Sequence, residues 1–200
     1  NRMDFQAYAD YKGTFGNGHR LGAVAGYEYM LDKLNSFDVR VQGAVSDKLP
    51  VLDAGTSNIA NYPKSTRTRE CLISYFGRVN YDYGGRYLLA ATMRIDGSSK
   101  FAKGNRWAFF PAVSVGWRID KENFMQNVRA VDVLKLRGSV GEMGNQAIGN
   151  YEYLMAVLAN KSYNYSFGDV LSGGAAIKDF VDENISWETT RTYNLGLDFE

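Results

Sequence analysis

The sequence predicts an all-β fold, an antiparallel up-and-down transmembrane β-barrel segment of about seven strands with long extracellular loops. Three observations carry that expectation. Runs of about ten residues alternate between an apolar set and a small, polar or charged set, the period of a strand whose two faces meet different surroundings. Aromatic residues gather at strand ends instead of mid-strand, as they do at the two interfaces of a membrane barrel. Short and long connections also take turns along the chain, so the long ones all fall on one side.

The first strand is residues 5–11, with Phe5, Ala7, Ala9 and Tyr11 against Gln6, Tyr8 and Asp10. A reversal at 13–18 follows, where Gly16-Asn17-Gly18 tolerates positive φ. Residues 20–31 complete the hairpin, with Leu21, Ala23, Ala25, Tyr27, Tyr29 and Leu31 on one face. From 32 to 69 the periodicity fades, and Pro50, Pro63, Ser, Thr and Asn predict a long loop.

The next two runs are the cleanest. Residues 72–81 set Ile73, Tyr75, Gly77, Val79 and Tyr81 against Ser74, Phe76, Arg78 and Asn80. Residues 86–95 set Tyr87, Leu89, Ala91, Met93 and Ile95 against Arg86, Ala90, Thr92, Arg94 and the following Asp96, with Leu88 among the latter. Asp82-Tyr83-Gly84-Gly85 joins them as a hairpin. Residues 107–119 alternate Trp107, Phe109, Pro111, Val113, Val115, Trp117 and Ile119 with small residues, Phe110 and Arg118. Pro111 predicts a bulge toward the outer end of that run, because proline cannot donate to a ladder. Residues 134–141 set Leu134, Leu136 and Val140 against Lys135, Arg137 and Ser139, and 193–200 again reads as strand.

Two environments demand an uncharged face of this kind: the core of a soluble β-sandwich, such as a carbohydrate-binding or adhesion module, or the hydrocarbon around a barrel. Tyr81 and Tyr87 flank one short turn, Trp117 lies near the same side, and Trp107 stands at the far end of its strand. A sandwich would put that bulk mid-strand. The opposite face is mostly Gly, Ala, Ser and Thr with isolated cations, which suits a lumen better than a solvated surface rich in Lys and Glu.

Several ordered motifs then carry a resemblance. Ser74-Tyr75-Phe76-Gly77-Arg78-Val79-Asn80-Tyr81 is followed by Arg94-Ile95-Asp96-Gly97-Ser98-Ser99-Lys100-Phe101, then by Phe110-Pro111-Ala112-Val113-Ser114-Val115-Gly116-Trp117-Arg118 and Glu122-Asn123-Phe124-Met125. Leu134-Lys135-Leu136-Arg137-Gly138-Ser139-Val140-Gly141 with Gly144-Asn145 completes the set. Together these resemble the SusC/RagA family of TonB-dependent outer-membrane transporters. The resemblance implies a bacterial outer-membrane location, a TonB complex and a SusD-like surface lipoprotein as partners, and an oligosaccharide or peptide as substrate. It also implies that residues 1–200 are a partial barrel domain, with a plug domain and further strands outside this chain. A plugged barrel of this kind has about 22 strands.

Composition agrees. Aromatics reach 14%, Gly numbers 21 and net charge is +1; mean hydropathy is −0.33. No run approaches the roughly 18 apolar residues of a membrane helix, and the charge balance gives no reason to expect nucleic acid. Catalysis and metal binding have little to draw on. His19 is the only histidine and Cys71 the only cysteine, so no cofactor and no enzyme activity are expected. Gly141-Glu142-Met143-Gly144 fits no phosphate-loop spacing, and Asp96-Gly97-Ser98-Ser99 lacks the alternate carboxylates of a calcium loop. The candidate ligand-binding residues are therefore the inward cations Arg78, Arg94, Arg118, Lys135 and Arg137, whose donors suit plug carboxylates or substrate oxygens. To these are added the loop aromatics Tyr163 and Tyr165. Tyr81, Tyr87, Trp107 and Trp117 are the expected membrane-interface aromatics.

Overall fold

The computed structural model describes residues 1–43, 57–58, 64–126, 131–155, 157–167, 170–177 and 181–200, with backbone alone at 57–58, 157–167 and 170–176. Eleven strands are defined: β1 Arg2–Phe15, β2 His19–Asp38, β3 Val41–Gln42, β4 Ser57–Asn58, β5 Lys64–Tyr83, β6 Tyr87–Ser98, β7 Trp107–Arg118, β8 Leu134–Asn145, β9 Val157–Phe167, β10 Val170–Ile177 and β11 Glu188–Phe199. Seven of them form one sheet in the order β1-β2-β5-β6-β7-β8-β11, every neighbour antiparallel. Chain order and sheet order agree once β3–β4 and β9–β10 are set aside as two separate hairpins within connections.

The turns form as the glycines dictate. Gly84 and Gly85 have φ of 60° and 65°, and the Arg86 N–H donates to the Tyr83 carbonyl at 3.0 Å, the geometry of a tight hairpin whose twist matches its strands. Asp82 accepts from the Gly85 N–H at 2.6 Å, and the Gly84 N–H donates to the Gly18 carbonyl at 2.7 Å, tying this turn to the β1–β2 turn beside it. On that side lie the connections 16–18, 84–86 and 119–133; on the other lie 39–63, 99–106 and 146–187. The expected asymmetry of length holds at the other four connections but not at 119–133, which is longer than 99–106, nor at 99–106, which is short because it folds inward as a packed cluster.

The strands run further than their alternation suggested. β2 and β5 stay paired to Asp38↔Lys64, although β6 leaves at Leu72↔Ser98. Backbone hydrogen bonds between two extended chains need no apolar pattern once clear of the membrane. β8 likewise continues to Asn145. The bulge expected at Pro111 is absent: the β6–β7 register passes Met93↔Pro111 without a shift, and the β7–β8 ladder begins at Ala112↔Gly141. Ending one ladder beside the proline disposes of the missing N–H without a bulge.

Burial is slight and eccentric. Phe101 is fully buried, packed by Trp187 at 5.2 Å, and Trp187 meets Phe110 edge-on at 5.5 Å. Trp187 also donates from Nε1 to the Arg106 carbonyl at 2.8 Å, fixing the cluster across β7 and the approach to β11. Gly144 is required here, since a Cβ would fall 2.0 Å from the Phe110 ring. Across the middle of the sheet, by contrast, the apolar face stays uncovered: Tyr75 is 50% exposed, Met93 54% and Val115 55%. A soluble sandwich would pack a second sheet there.

Candidate functional site

The register resolves the two faces of the sheet into distinct surfaces. On the apolar face, Phe15, His19, Tyr83, Tyr87 and Trp117 stand side by side in one rung, and Phe5, Tyr29, Ile73, Gly97 and Trp107 in another. The interval between rungs is ten residues on each of these five strands. At ~3.3 Å per residue and a tilt near 40° that is about 33 Å along a strand and about 25 Å along the barrel axis, the height of a barrel's apolar band. The Trp107 ring lies over Gly97, where a Cβ would approach within 2.7 Å, and stacks at 6.2 Å on Tyr75. Tyr75 and Tyr27 are 5.3 Å apart, and Tyr27 and Phe5 6.5 Å, so rings bridge four strands.

At the short-turn side the aromatics keep their polar tips partnered. Tyr87 donates to Glu122 Oε1 at 2.6 Å and Trp117 Nε1 donates to the same oxygen at 2.9 Å. Those two bonds, the Tyr87 hydroxyl first, hold the Glu122 carboxyl below its usual range. Tyr81, one step inside the rung, shares a 2.7 Å hydrogen bond with His19 Nδ1. Tyr81, Tyr87 and Trp117 thus have bonded polar tips at the short-turn side, while Trp107 stacks on Tyr75 at the other end of β7.

The opposite face is concave. It holds a trough of about 880 Å³ floored by small residues, including Gly22, Ala90, Ser114, Gly116, Ser139 and Gly196, with Lys12, Arg20, Lys135 and Arg137 at its margins. A second hollow of about 380 Å³ adjoins it, lined in part by Arg78, Thr92 and Asn194. Gly and Ala on this face let the sheet curve toward it, while the larger apolar side chains occupy the convex side.

The five inward cations are not equivalent. Arg94 donates from Nε to both Asp96 oxygens at 2.8 and 3.0 Å and from Nη2 to Glu28 at 2.9 Å and Ser74 at 2.8 Å. Gln6 completes Glu28 at 3.0 Å, so the cluster crosses four strands and has little capacity left for a ligand. Arg118 grips Asp120 with two bonds of 2.8 and 2.6 Å, the Leu134 N–H adds a third at 3.2 Å, and Arg118 above all holds that carboxyl down at about 2. Its work is to fix the β7–β8 connection. Lys135 and Arg137 share Asp198, at 3.8 and 3.2 Å. Arg78 is exposed, faces the second hollow and has no ion-pair partner among the described residues. Tyr163 and Tyr165 belong to β9, and their side chains lie outside the described residues.

The alternation puts Asp96 on the inward face with Arg94, but Glu28 and Asp120, the other anions that occupy these cations, are not among the residues it singles out. Glu28 and Asp96 share the inward parity of Arg94, and that parity was the available signal. The Phe101, Phe110 and Trp187 cluster joins residues up to 86 positions apart and left no local trace.

A family model described as TonB-dependent receptor-like, β-barrel, matches residues 1–200. TonB-dependent receptor SusC of Bacteroides thetaiotaomicron is 48% identical over 134 residues, 66% of this chain and 13% of the relative. TonB-dependent receptor P3 of Formosa agariphila is 34% identical over 192 residues, 96% of this chain and 19% of the relative. Among solved structures, that of the RagAB peptide transporter superposes with a TM-score of 0.85 at 29% identity, covering 98% of this chain and 21% of the other. The chain spans about a fifth or less of the length of the proteins it matches.

Proposed function

The chain belongs to the TonB-dependent receptor-like β-barrel family, as an outer-membrane β-barrel of the SusC/RagA type, and from that premise we propose that it supplies seven adjacent wall strands of a plugged transporter. The transporter imports oligosaccharides or peptides together with a SusD-like surface lipoprotein and is driven through TonB. The wall completes itself by pairing the open edges of β1 and β11 with further strands, and a plug domain fills the trough. The observation that carries this reading is the pairing of a convex, uncovered apolar face with a concave face of small residues and ion pairs. Only a lipid-embedded wall enclosing polar contents calls for both.

The residues divide the work accordingly. The Glu28, Arg94 and Asp96 cluster joins strands where no water-filled core would otherwise order them, and the small-residue floor gives a plug a smooth surface from which to part. Arg78, exposed beside the second hollow and without an ion-pair partner among the described residues, is a guanidinium available to a plug carboxylate or a passing substrate oxygen. The connection at 146–187 stands on the outer side, anchored by Trp187 and by Tyr151, whose hydroxyl bonds both the N–H and the carbonyl of Arg69 at 3.0 and 3.2 Å. Its β9–β10 hairpin is the part placed to meet substrate or lipoprotein.

The test is uptake of labelled oligosaccharides and peptides by cells carrying the full-length protein, with and without TonB. A second arm replaces residues 156–180 with a short Gly-Ser linker, sparing Tyr151 and Trp187. Uptake of one class that requires TonB and is lost with the hairpin supports the proposal; uptake that persists without TonB makes the barrel a passive pore.

A further inference from the structure

Beyond Leu72↔Ser98, where β6 leaves, β2 and β5 continue as a paired ribbon whose two faces differ in charge. On the lipid-facing side, four residues past the rung of Tyr29 and Ile73, Lys33 stands directly opposite Arg69, and the next outward pair is Asn35 with Arg67. All three cations are exposed. Arg67 donates from Nε to Asn35 at 3.2 Å, and no carboxylate among the described residues pairs with any of the three. The carboxylates of this ribbon point the other way: Asp32 and Glu70 face each other on the inward side, and Glu70 is taken by Lys100 at 3.3 Å.

Two like charges directly opposite on an antiparallel pair repel, and such pairs are disfavoured unless something neutralises them. Four residues correspond to ~13 Å along the strand and about 10 Å along the barrel axis at a tilt near 40°. Six residues, the level of Arg67, give about 15 Å. Around a band of about 25 Å the headgroup layer reaches roughly 8–10 Å past the rung, so on the side of the long connections Lys33 and Arg69 stand at its outer margin and Arg67 beyond it, each with a side chain long enough to reach back to its phosphates. A cation at this depth that points outward meets lipid, not lumen.

We infer that Lys33, Arg67 and Arg69 form a binding site for phosphorylated headgroups of the outer leaflet, a phosphate group bridging the facing pair Lys33 and Arg69. The site uses charge complementarity and is continuous with the ring-bridged aromatic belt of Phe5, Tyr27, Tyr75 and Trp107 directly beneath it. It anchors the wall at a fixed height and clamps the ribbon that carries the β2–β5 connection. The inference rests on the orientation proposed above, with long connections outside the cell.

The experiment uses the full-length protein in detergent. Wild type and the triple variant K33Q/R67Q/R69Q are titrated with bisphosphorylated lipid A and with the same lipid after phosphatase treatment, and bound lipid is read by native mass spectrometry. Three surface cations predict a drop in affinity on the order of tenfold to a hundredfold for the triple variant. Wild type should show a similar drop when the phosphates are removed, a comparison independent of how the variant folds. K64Q, on the inward face, should bind as wild type does. Equal binding of both lipids by wild type overturns the inference. So does an unchanged affinity in the triple variant, or loss in K64Q alone. Accessibility of a cysteine placed at Lys64, probed on intact cells, separately reports which side faces outward.

Discussion

A cation placed at Val113 should destabilise the barrel by an amount set by depth alone. Val113 lies four residues from Trp117 and six from Trp107, on the exposed apolar face between Ala91 and Val140. Those separations are ~10 Å and ~15 Å along the axis, which puts it within about 3 Å of the middle of the band. An arginine there costs about 2–4 kcal/mol, or roughly 30- to 900-fold in the folded population. Leu89 faces the same lipid but pairs with Val115, two residues from the Trp117 rung and ~5 Å from the interface. Leu89→Arg should therefore cost about 0–1 kcal/mol as its guanidinium snorkels. Ser114, one residue from Val113 but on the trough floor, should accept arginine with no depth-dependent penalty. The measurement is urea unfolding of the full-length protein in lipid vesicles, with heat-modifiable mobility as the check on assembly. A larger loss for Leu89→Arg than for Val113→Arg, or equal losses at Val113 and Ser114, would refute the assignment of faces and rungs.

Three further outcomes follow from named contacts. Arg94→Met strands Glu28 and Asp96 without their shared donor and should cost about 2 kcal/mol, and a double-mutant cycle with Asp96→Asn should show coupling between the two positions. Asp120 is held at about 2, below its ordinary 3.8, so the stability it contributes is present above about pH 4 and is lost as pH falls toward 2; unfolding rates between pH 2 and 5 should show that loss, and Asp120→Asn should abolish it. Phe101→Ala empties the buried cluster at a cost of about 3–5 kcal/mol, local to the connections it joins. Hydrogen exchange should rise at 99–106 and near Trp187 while the strands between the aromatic rungs keep their protection.

How much of this was legible in the sequence differs from element to element. β6 and β7 lie in the membrane band to within a residue, so lipid on one side and lumen on the other impose their alternation from end to end, and both strands were visible to within three residues. β2 and β5 each extend seven or more residues past the band, into water, where both faces tolerate polar residues and periodicity carries no information. The same loss of contrast hid β3, β4, β9 and β10 inside stretches read as loops.

The candidate site divides in the same way. Parity alone put Arg78, Arg94, Lys135 and Arg137 on the inward face, because a strand's side chains can point only two ways. It could not say which of them were spent, since Arg94 meets Glu28 across 66 residues and Arg137 meets Asp198 across 61. Those encounters depend on strand register, a property of the whole sheet. The sequence by itself determined that the chain has one face for hydrocarbon and another for a polar interior, because that requirement acts on each residue separately. Only the tertiary structure decided which charges neutralise one another, that the aromatic rungs align across five strands, and that three cations outside the band have no carboxylate partner among the described residues. Each of these is a relation between strands, and burial and ion pairing are settled by neighbours in space.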